Sequence, residues 1–179
     1  MKLIYEHYLS LYGEPSRKAR YETQDGKIVN VFKWDKSVTN EGVSIYATLG
    51  ASEIINGDNE SCEFFIGLTP EADSIAEALA ELALHGNGTN IIPNDGDSLT
   101  LSYNLWEGTV ARTFMFTDGD EIIGSIKNDD GKRIWFLQLV PLFDKELDYK
   151  KKFGEEALWE FFEENCVPYW DSERKSGIL

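Results

Sequence analysis

The segment Ile134–Phe162, IWFLQLVPLFDKELDYKKKFGEEALWEFF, is the most informative part of the sequence about the fold. Its first part, IWFLQLV, is a nearly unbroken apolar run, too short to cross a membrane and typical of a strand covered on both faces. Pro141 has no N–H to donate, so we expect the strand to end there. Asp144 stands where a helix N-cap is expected, and Gly154 separates this helix from a second one. The stretch therefore predicts a buried strand that leads directly into two helices.

Hydrophobic periodicity predicts further helices and strands on the amino-terminal side of this stretch. Apolar residues recur at helical spacing in Leu3–Tyr12 and again after Thr69, as far as His85 and the glycines that follow it. Strands are expected at Tyr21–Thr23, Lys27–Trp34, Val43–Leu49, Cys62–Leu68, Leu99–Leu105, Thr113–Phe116 and Glu121–Ile126, with a polar loop over 13–20. The order of these elements indicates an α+β fold, in which helices flank a mixed, mainly antiparallel sheet.

The length of 179 residues is typical of one domain, which we expect to span the whole chain. Hydrophobic residues make up 42% of the chain, which is enough for a substantial core. We expect the core over residues 1–165 and a frayed, charged tail over residues 171–179. The amino terminus lacks the small-residue cleavage site of a signal peptide, so we expect a cytoplasmic protein.

The chain is strongly acidic, with 32 Asp and Glu residues against 17 Lys and Arg residues and a formal net charge of −15. This charge argues against a nucleic-acid ligand, because binding to a phosphate backbone requires clustered basic residues. It also disfavours docking on an anionic membrane. Two interpretations stay open: an ordinary soluble acidic protein, or an acidic surface that captures a basic protein partner.

The residue types that carry catalytic or metal chemistry are few. Cys62 and Cys166 lie far apart and form no zinc motif, and His7 and His85 are the only histidines. The Asp-Gly loops lack the spacing of an EF-hand and are typical of tight turns. Ser52 follows a predicted strand end, where a hydroxyl group satisfies freed backbone groups. The sequence thus predicts no metal, no cofactor and no catalytic residue.

Candidate partner-binding residues are aromatic or acidic. Core packing is the simplest interpretation of Trp34, Trp106 and Trp135. Trp34 and Trp106 lie near predicted strand ends, beside Asp35 and Glu107, and aromatic anchors rimmed by acid suit a basic partner. Further candidates are the acidic loop residues Asp95, Asp97, Asp118, Asp120 and Glu121.

Three pieces of the sequence, taken in order, resemble the suppressor-of-fused domain family. They are IYATLGAS (Ile45–Ser52), EFFIGLTPEAD (Glu63–Asp73) and FLQLVPLFDKELDYKKKFGEEAL (Phe136–Leu158), of which the last is the most specific. The resemblance implies a suppressor-of-fused-like domain. The residues that match its motifs, and that the resemblance presents as architectural, are Gly50, Ser52, Pro141, Glu146, Tyr149 and Gly154.

The resemblance also implies a function. The animal namesake of the family is a larger regulator that binds a transcription factor, whereas single-domain bacterial members resemble immunity proteins, or antitoxins, of secreted polymorphic toxins. We therefore expect a non-catalytic protein-binding module, a bacterial immunity protein that neutralises a cognate, basic toxin domain by direct binding. Two alternatives are a regulatory scaffold for an endogenous protein and an enzyme with an unrecognised carboxylate site.

Overall fold

The structure, a computed structural model, describes residues 1–85 and 91–178. Within these residues the elements, in chain order, are α1 (Lys2–Tyr12), β1 (Arg17–Glu22), β2 (Ile28–Trp34), α2 (Lys36–Thr39), β3 (Ser44–Leu49), a one-turn 3₁₀ helix (Ala51–Glu53), β4 (Glu60–Leu68), α3 (Ile75–His85), β5 (Ser98–Thr100), β6 (Thr113–Asp118), β7 (Ile126–Lys127), β8 (Arg133–Leu142), α4 (Asp144–Phe153) and α5 (Glu155–Glu164). In this part of the chain, no helix is both long enough and apolar enough to cross a membrane.

Strand β8 is the centre of one eight-stranded sheet with the order β1-β2-β3-β4-β8-β6-β5. Its first half runs parallel to β4, whereas β6 pairs antiparallel with its second half and β7 with its start. All the other strand pairs are antiparallel. The predicted α+β fold with a mixed, mainly antiparallel sheet flanked by helices is therefore confirmed.

Helices cover both faces of the sheet. On one face lies α3, whose Leu79 and Leu82 are buried in one hydrophobic cluster with Phe64 and Phe114. The opposite face is covered by α1 in one region and by α5 in another, in two separate clusters. Both faces of β8 are thus buried, which is why its sequence is almost continuously apolar.

Pro141 does not end the central strand, because β8 continues to Leu142 and Pro141 lies opposite Phe114 of β6. That prediction was wrong. The carbonyl oxygen of Pro141 accepts a hydrogen bond from Arg174 Nη2 at 2.7 Å, so this edge of the residue faces away from β6. The N–H and C=O groups of a strand residue point the same way, and β4 pairs with β8 only as far as Gln138. The missing N–H therefore removes no bond from the β6–β8 ladder.

The two helices that follow β8 are confirmed, with Gly154 between them at φ 95°. Asp144 is not the N-cap, because Phe143 occupies that position and Asp144 is the first helical residue. The side chain of Glu146 instead accepts a hydrogen bond from the Phe143 N–H at 3.0 Å. The carboxylate three residues into the helix thus stabilises its start.

Three other predicted boundaries were wrong because tertiary contacts override local pattern. Strand β1 begins at Arg17, inside the predicted polar loop, because it pairs with β2. Helix α3 begins at Ile75 rather than next to Thr69, whose N–H binds the carbonyl oxygen of Trp170 at 3.0 Å. The predicted Leu99–Leu105 strand is reduced to β5. The glycines expected to end α3 lie outside the described residues.

The predicted strand Glu121–Ile126 is a turn, from which only Ile126 and Lys127 pair with β8. Asp120 Oδ1 accepts a hydrogen bond from the Ser125 N–H at 2.8 Å. The Ile123 N–H donates to the carbonyl oxygen of Gly119, also at 2.8 Å. These bonds close the segment on itself, while Ile123 is fully buried beneath α1. The Asp120 side chain thus binds a backbone N–H group within the turn, in competition with strand pairing to β8.

The carboxy-terminal segment is packed rather than frayed over residues 171–178, so that prediction was also wrong. The backbone of Asp171 forms a parallel bridge with Thr69. The Ser172 hydroxyl donates to the Pro70 carbonyl oxygen at 2.7 Å. The side chain of Arg174 is 5% exposed and pairs with the buried Glu146. The extent of the domain, residues 1–179, stays a prediction.

Helix α1 carries a half-buried histidine that predicts a pH effect. The His7 ring lies 5.2 Å from the Phe136 ring, and its Nε2 atom has no partner among the described residues. Burial is the main cause that lowers the pKa of His7 from 6.5. Below about pH 6.5 the imidazole of the unfolded chain therefore binds a proton more readily than that of the folded chain. The free energy of unfolding falls as the pH decreases through this range.

We expect His7→Gln to reduce the loss of unfolding free energy between about pH 7 and pH 5, measured by urea denaturation. His85→Gln is the control, since the His85 side chain is 58% exposed. An H7Q variant with the same pH dependence as the wild-type protein would contradict the assignment.

Candidate partner-binding surface

Five of the predicted acidic residues lie together at the β5–β6 end of the sheet. We refer to them as the acidic surface; they are Asp95, Asp97, Asp118, Asp120 and Glu121, and all five are exposed. Backbone pairing brings the two loops together, because the Phe116 N–H donates to the carbonyl oxygen of Asp97 at 2.9 Å. The sequence showed these charges but not their assembly.

Several carboxylates of the acidic surface are fixed by backbone groups. Asp95 Oδ1 accepts from the Asp118 N–H at 3.2 Å, and Asp118 Oδ1 accepts from the Asp120 N–H at 2.9 Å. Asp97 Oδ2 accepts from the Asn94 N–H at 2.9 Å. Within the part of the chain that the structure describes, no residue of the acidic surface forms a salt bridge. These charges are therefore held in position without a neutralising side chain.

A groove of about 270 Å³ adjoins the acidic surface. Its lining consists of Glu60, Ile92, Pro93, Asn94, Asp95, Asp118, Trp135 and Leu137. The half-buried Trp135 donates its indole N–H to Glu60 Oε2 at 2.8 Å. The guanidinium group of Arg133 lies 4.1 Å from the centre of the same ring. An aromatic side chain rimmed by acid is therefore present, although it is not one of the two that the sequence favoured.

Trp34 and Trp106 are not exposed anchors, so that prediction was wrong. Trp34 is 0% exposed and Trp106 is 5% exposed. The indole N–H of Trp34 donates to the carbonyl oxygen of Gly13 at 2.8 Å. That of Trp106 donates to the carbonyl oxygen of Ser172 at 3.1 Å. A tryptophan with a satisfied N–H packs well in a core. Strand alternation would not have distinguished Trp135, because Leu137 and Leu139 on its face of β8 are buried in the cluster under α3.

Asp35 and Glu107 do not join the acidic surface. Asp35 lies 3.7 Å from the buried Lys33 Nζ, which also contacts Glu71 at 2.6 Å and Asp73 at 2.9 Å. Arg17 also pairs with Asp73. The hydrogen bond from Lys33 is the main cause that lowers the pKa of Glu71. Glu107 lines a larger groove of about 610 Å³ together with Glu71 and Asp73. The carboxylates around Lys33 are partly neutralised, unlike those of the acidic surface.

The motif residues Gly50 and Ser52 surround a buried carboxylate on β4. Glu63 is 0% exposed, and its oxygens accept hydrogen bonds from the N–H groups of Gly50, Ala51 and Ser52 at 3.0–3.1 Å. The hydroxyl groups of Thr48 and Ser52 each donate to it at 2.7 Å. Gly50 has φ 121°, and a Cβ there would lie 2.7 Å from the Ile28 carbonyl oxygen. Ser52 is therefore a ligand of Glu63 and not an exposed nucleophile.

The motif residues of the helical pair are also structural contacts. Glu146 is 0% exposed and binds Arg174 through both carboxylate oxygens. The Tyr149 ring packs 4.6 Å from that of Phe153 and 5.5 Å from that of Phe161, which joins α4 to α5. These residues hold the helices and the carboxy-terminal segment on the sheet.

The titrating groups give little support to the enzyme alternative. That alternative predicted two neighbouring carboxyls with opposite pKa shifts, whereas the pKa values of Glu14, Asp25 and Glu71 all shift downward, chiefly through hydrogen bonds. Burial raises the pKa of the Cys62 thiol, which makes it a poor nucleophile. Within residues 1–85 and 91–178, no three His, Cys, Asp or Glu side chains converge on a metal-sized site.

The sequence matches the family described as Suppressor of fused protein (SUFU) over residues 23–175. A comparison with curated proteins found no match. Among solved structures, a chain of the Sufu–Fu complex is 16% identical and superposes with a TM-score of 0.71, over 98% of this chain and 91% of that one.

Two further solved structures have the same fold. A protein described as a SUFU homologue from Neisseria gonorrhoeae FA 1090 is 16% identical, with a TM-score of 0.68 over 99% of this chain and 96% of that one. Drosophila Suppressor of Fused is 14% identical, with a TM-score of 0.71 over 97% of this chain but 50% of that one. The family match spans most of the sequence and the fold agrees with it, and the chain therefore belongs to the suppressor of fused protein family.

Proposed function

We propose that this chain is a protein-binding module whose acidic surface captures a basic partner, and that the partner is a toxin domain which it neutralises as an immunity protein. The observation that carries the proposal is the acidic surface itself. Its carboxylates are exposed and partly fixed by backbone N–H groups, and none forms a salt bridge within the described residues. A protein that holds charges in place without neutralising them has them available for a partner of opposite sign.

Two considerations support a protein partner, and a toxin in particular. One similar structure is that of the Sufu–Fu complex, in which a protein of this fold is bound to another protein. A nuclease toxin must be electropositive to hold its nucleic-acid substrate. An inhibitor with a net charge of −15 would be steered towards such a surface.

Co-expression tests the immunity role. The product of a neighbouring gene that ends in a toxin-like domain is produced in cells with and without this protein. We expect growth to stop with the toxin alone and to be restored when both are made. Cells that die equally in both cases would refute immunity. If the product of the neighbouring gene does not stop growth but still binds this chain, the regulatory scaffold is favoured instead.

If the acidic surface attracts the toxin domain over a distance, the association rate constant should depend on salt. The association rate constant of the complex, measured by stopped-flow mixing, should fall by about tenfold between roughly 20 mM and 500 mM NaCl, because salt screens long-range attraction. The dissociation rate constant should change much less. An association rate that is indifferent to salt would remove steering from the mechanism.

A further inference from the structure

We infer that the groove beside Trp135 receives an arginine side chain of the partner. The inference rests on the proposed function and names the chemistry that this surface recognises. The size of the groove, its apolar walls and the charge of its rim all suit an arginine side chain.

The size and walls of the groove suit a single long side chain. Its volume of about 270 Å³ lies just below the range of about 300–1,000 Å³ that is typical of pockets for small-molecule ligands. Ile92, Pro93 and Leu137 supply apolar walls. The methylene groups of an arginine or lysine side chain pack on such surface while the charged end stays at the rim.

The rim carries three carboxylates from separate segments, which are Glu60, Asp95 and Asp118. One oxygen of each is already engaged, by the Trp135 indole N–H, by the Asp118 N–H and by the Asp120 N–H. The second oxygen of each has no hydrogen-bond partner within the described residues. A guanidinium group has five N–H donors in a planar fork and can bond two carboxylates at once, whereas a lysine ammonium is a point charge.

Trp135 adds a rigid aromatic surface to this site. Its indole is fixed by the bond to Glu60 and by Arg133, whose guanidinium stacks on the ring. Arg133 is not among the residues that line the groove. The incoming guanidinium thus meets an anchored ring as part of the groove lining, and the acidic rim supplies the hydrogen-bond acceptors.

Nuclear magnetic resonance tests the inference with a defined probe. The ¹⁵N-labelled protein is titrated with N-acetyl-arginine methylamide, and the Trp135 indole N–H resonance, assigned with a Trp135→Phe variant, is followed. We expect a saturable shift at millimolar probe concentrations. The analogue in which citrulline replaces arginine should produce no saturable shift, and the lysine analogue should bind about tenfold more weakly.

Two charge-matched double variants separate the groove from the general field of the acidic surface. D95N/D118N changes two rim residues, whereas D97N/D120N changes two residues of the acidic surface that do not line the groove. Asparagine Oδ1 can still accept the backbone hydrogen bonds that each aspartate accepts. We expect D95N/D118N to weaken binding of the arginine probe about tenfold and D97N/D120N to change it by less than about twofold.

Equal effects of the two double variants, or equal binding of the citrulline probe, would overturn the inference. Its failure is distinguishable from that of the proposed function. If D95N/D118N and D97N/D120N weaken binding of the toxin domain to the same extent, the proposed function stands and the groove has no special part in it. A toxin domain that does not bind the wild-type chain refutes the proposed function, whatever the arginine probe shows.

Discussion

Replacing Arg174 with alanine is expected to destabilise the protein by about 3–5 kcal/mol, the cost of leaving a buried charge without its partner. The side chain of Arg174 is 5% exposed and that of Glu146 is 0% exposed. Their bidentate contacts measure 2.7 Å and 3.0 Å. Alanine would leave the Glu146 carboxylate with two backbone donors, those of Phe143 and Gly177, and no cation.

Urea denaturation measures this effect through the midpoint and slope of unfolding. Arg20→Ala is the control, because its pair with Glu22 is exposed at 59% and 51%, and we expect a loss of less than about 1 kcal/mol. Replacing Arg174 and Glu146 together with apolar residues should cost less than R174A alone, since no charge is then stranded. An R174A variant as stable as R20A would contradict the packed carboxy-terminal segment.

Glu63→Ala is expected to cost at least about 3 kcal/mol, because it leaves several buried donors unsatisfied. The carboxylate accepts three backbone N–H groups and two hydroxyl groups, and among the described residues it has no cation partner. The N–H groups of Gly50, Ala51 and Ser52 belong to the main chain at the end of β3, so they cannot rotate towards other acceptors as a side chain can. The loss should therefore be large, although the alanine removes no salt bridge.

Glu53→Ala is the matched control for Glu63, because it changes a glutamate of the same turn whose side chain is 58% exposed. We expect E53A to unfold within about 1 kcal/mol of the wild-type protein. Glu63→Gln should be intermediate, since its amide nitrogen would face donors while its oxygen still accepts. Wild-type stability of E63A would mean that the carboxylate does not organise the turn.

The parts of the fold that the sequence predicted are those determined by local pattern. The apolar run before Pro141 and the glycine at 154 were sufficient to predict a buried strand followed by two helices. The wrong predictions depend on contacts between distant residues. Trp34 and Trp106 are buried with acceptors 21 and 66 residues away, and the carboxy-terminal segment is held by a partner 28 residues before Arg174.

The candidate site was predictable only in part, for the same reason. The charges at Asp95 and Asp118 are visible in the sequence, but the pairing of β5 with β6 decides that they adjoin one groove. Trp135 was hidden because a tryptophan in an apolar run is typical of a core. Its bond to Glu60 joins two residues that are 75 positions apart, which no local pattern indicates.

Capture of a basic toxin domain by the acidic surface can be tested by a single binding experiment. The toxin domain encoded by the neighbouring gene is mixed with the wild-type chain and with two variants that carry the same change in charge. The association rate constant and the affinity are measured for each. One is D95N/D97N/D118N/D120N, and the control is D148N/E160Q/E163Q/E164Q, four exposed acids of α4 and α5. We predict that the first variant associates at least about tenfold more slowly and the control stays within about twofold of wild type. Equal slowing of both variants, or no slowing of the first, would show that the acidic surface does not capture the toxin domain.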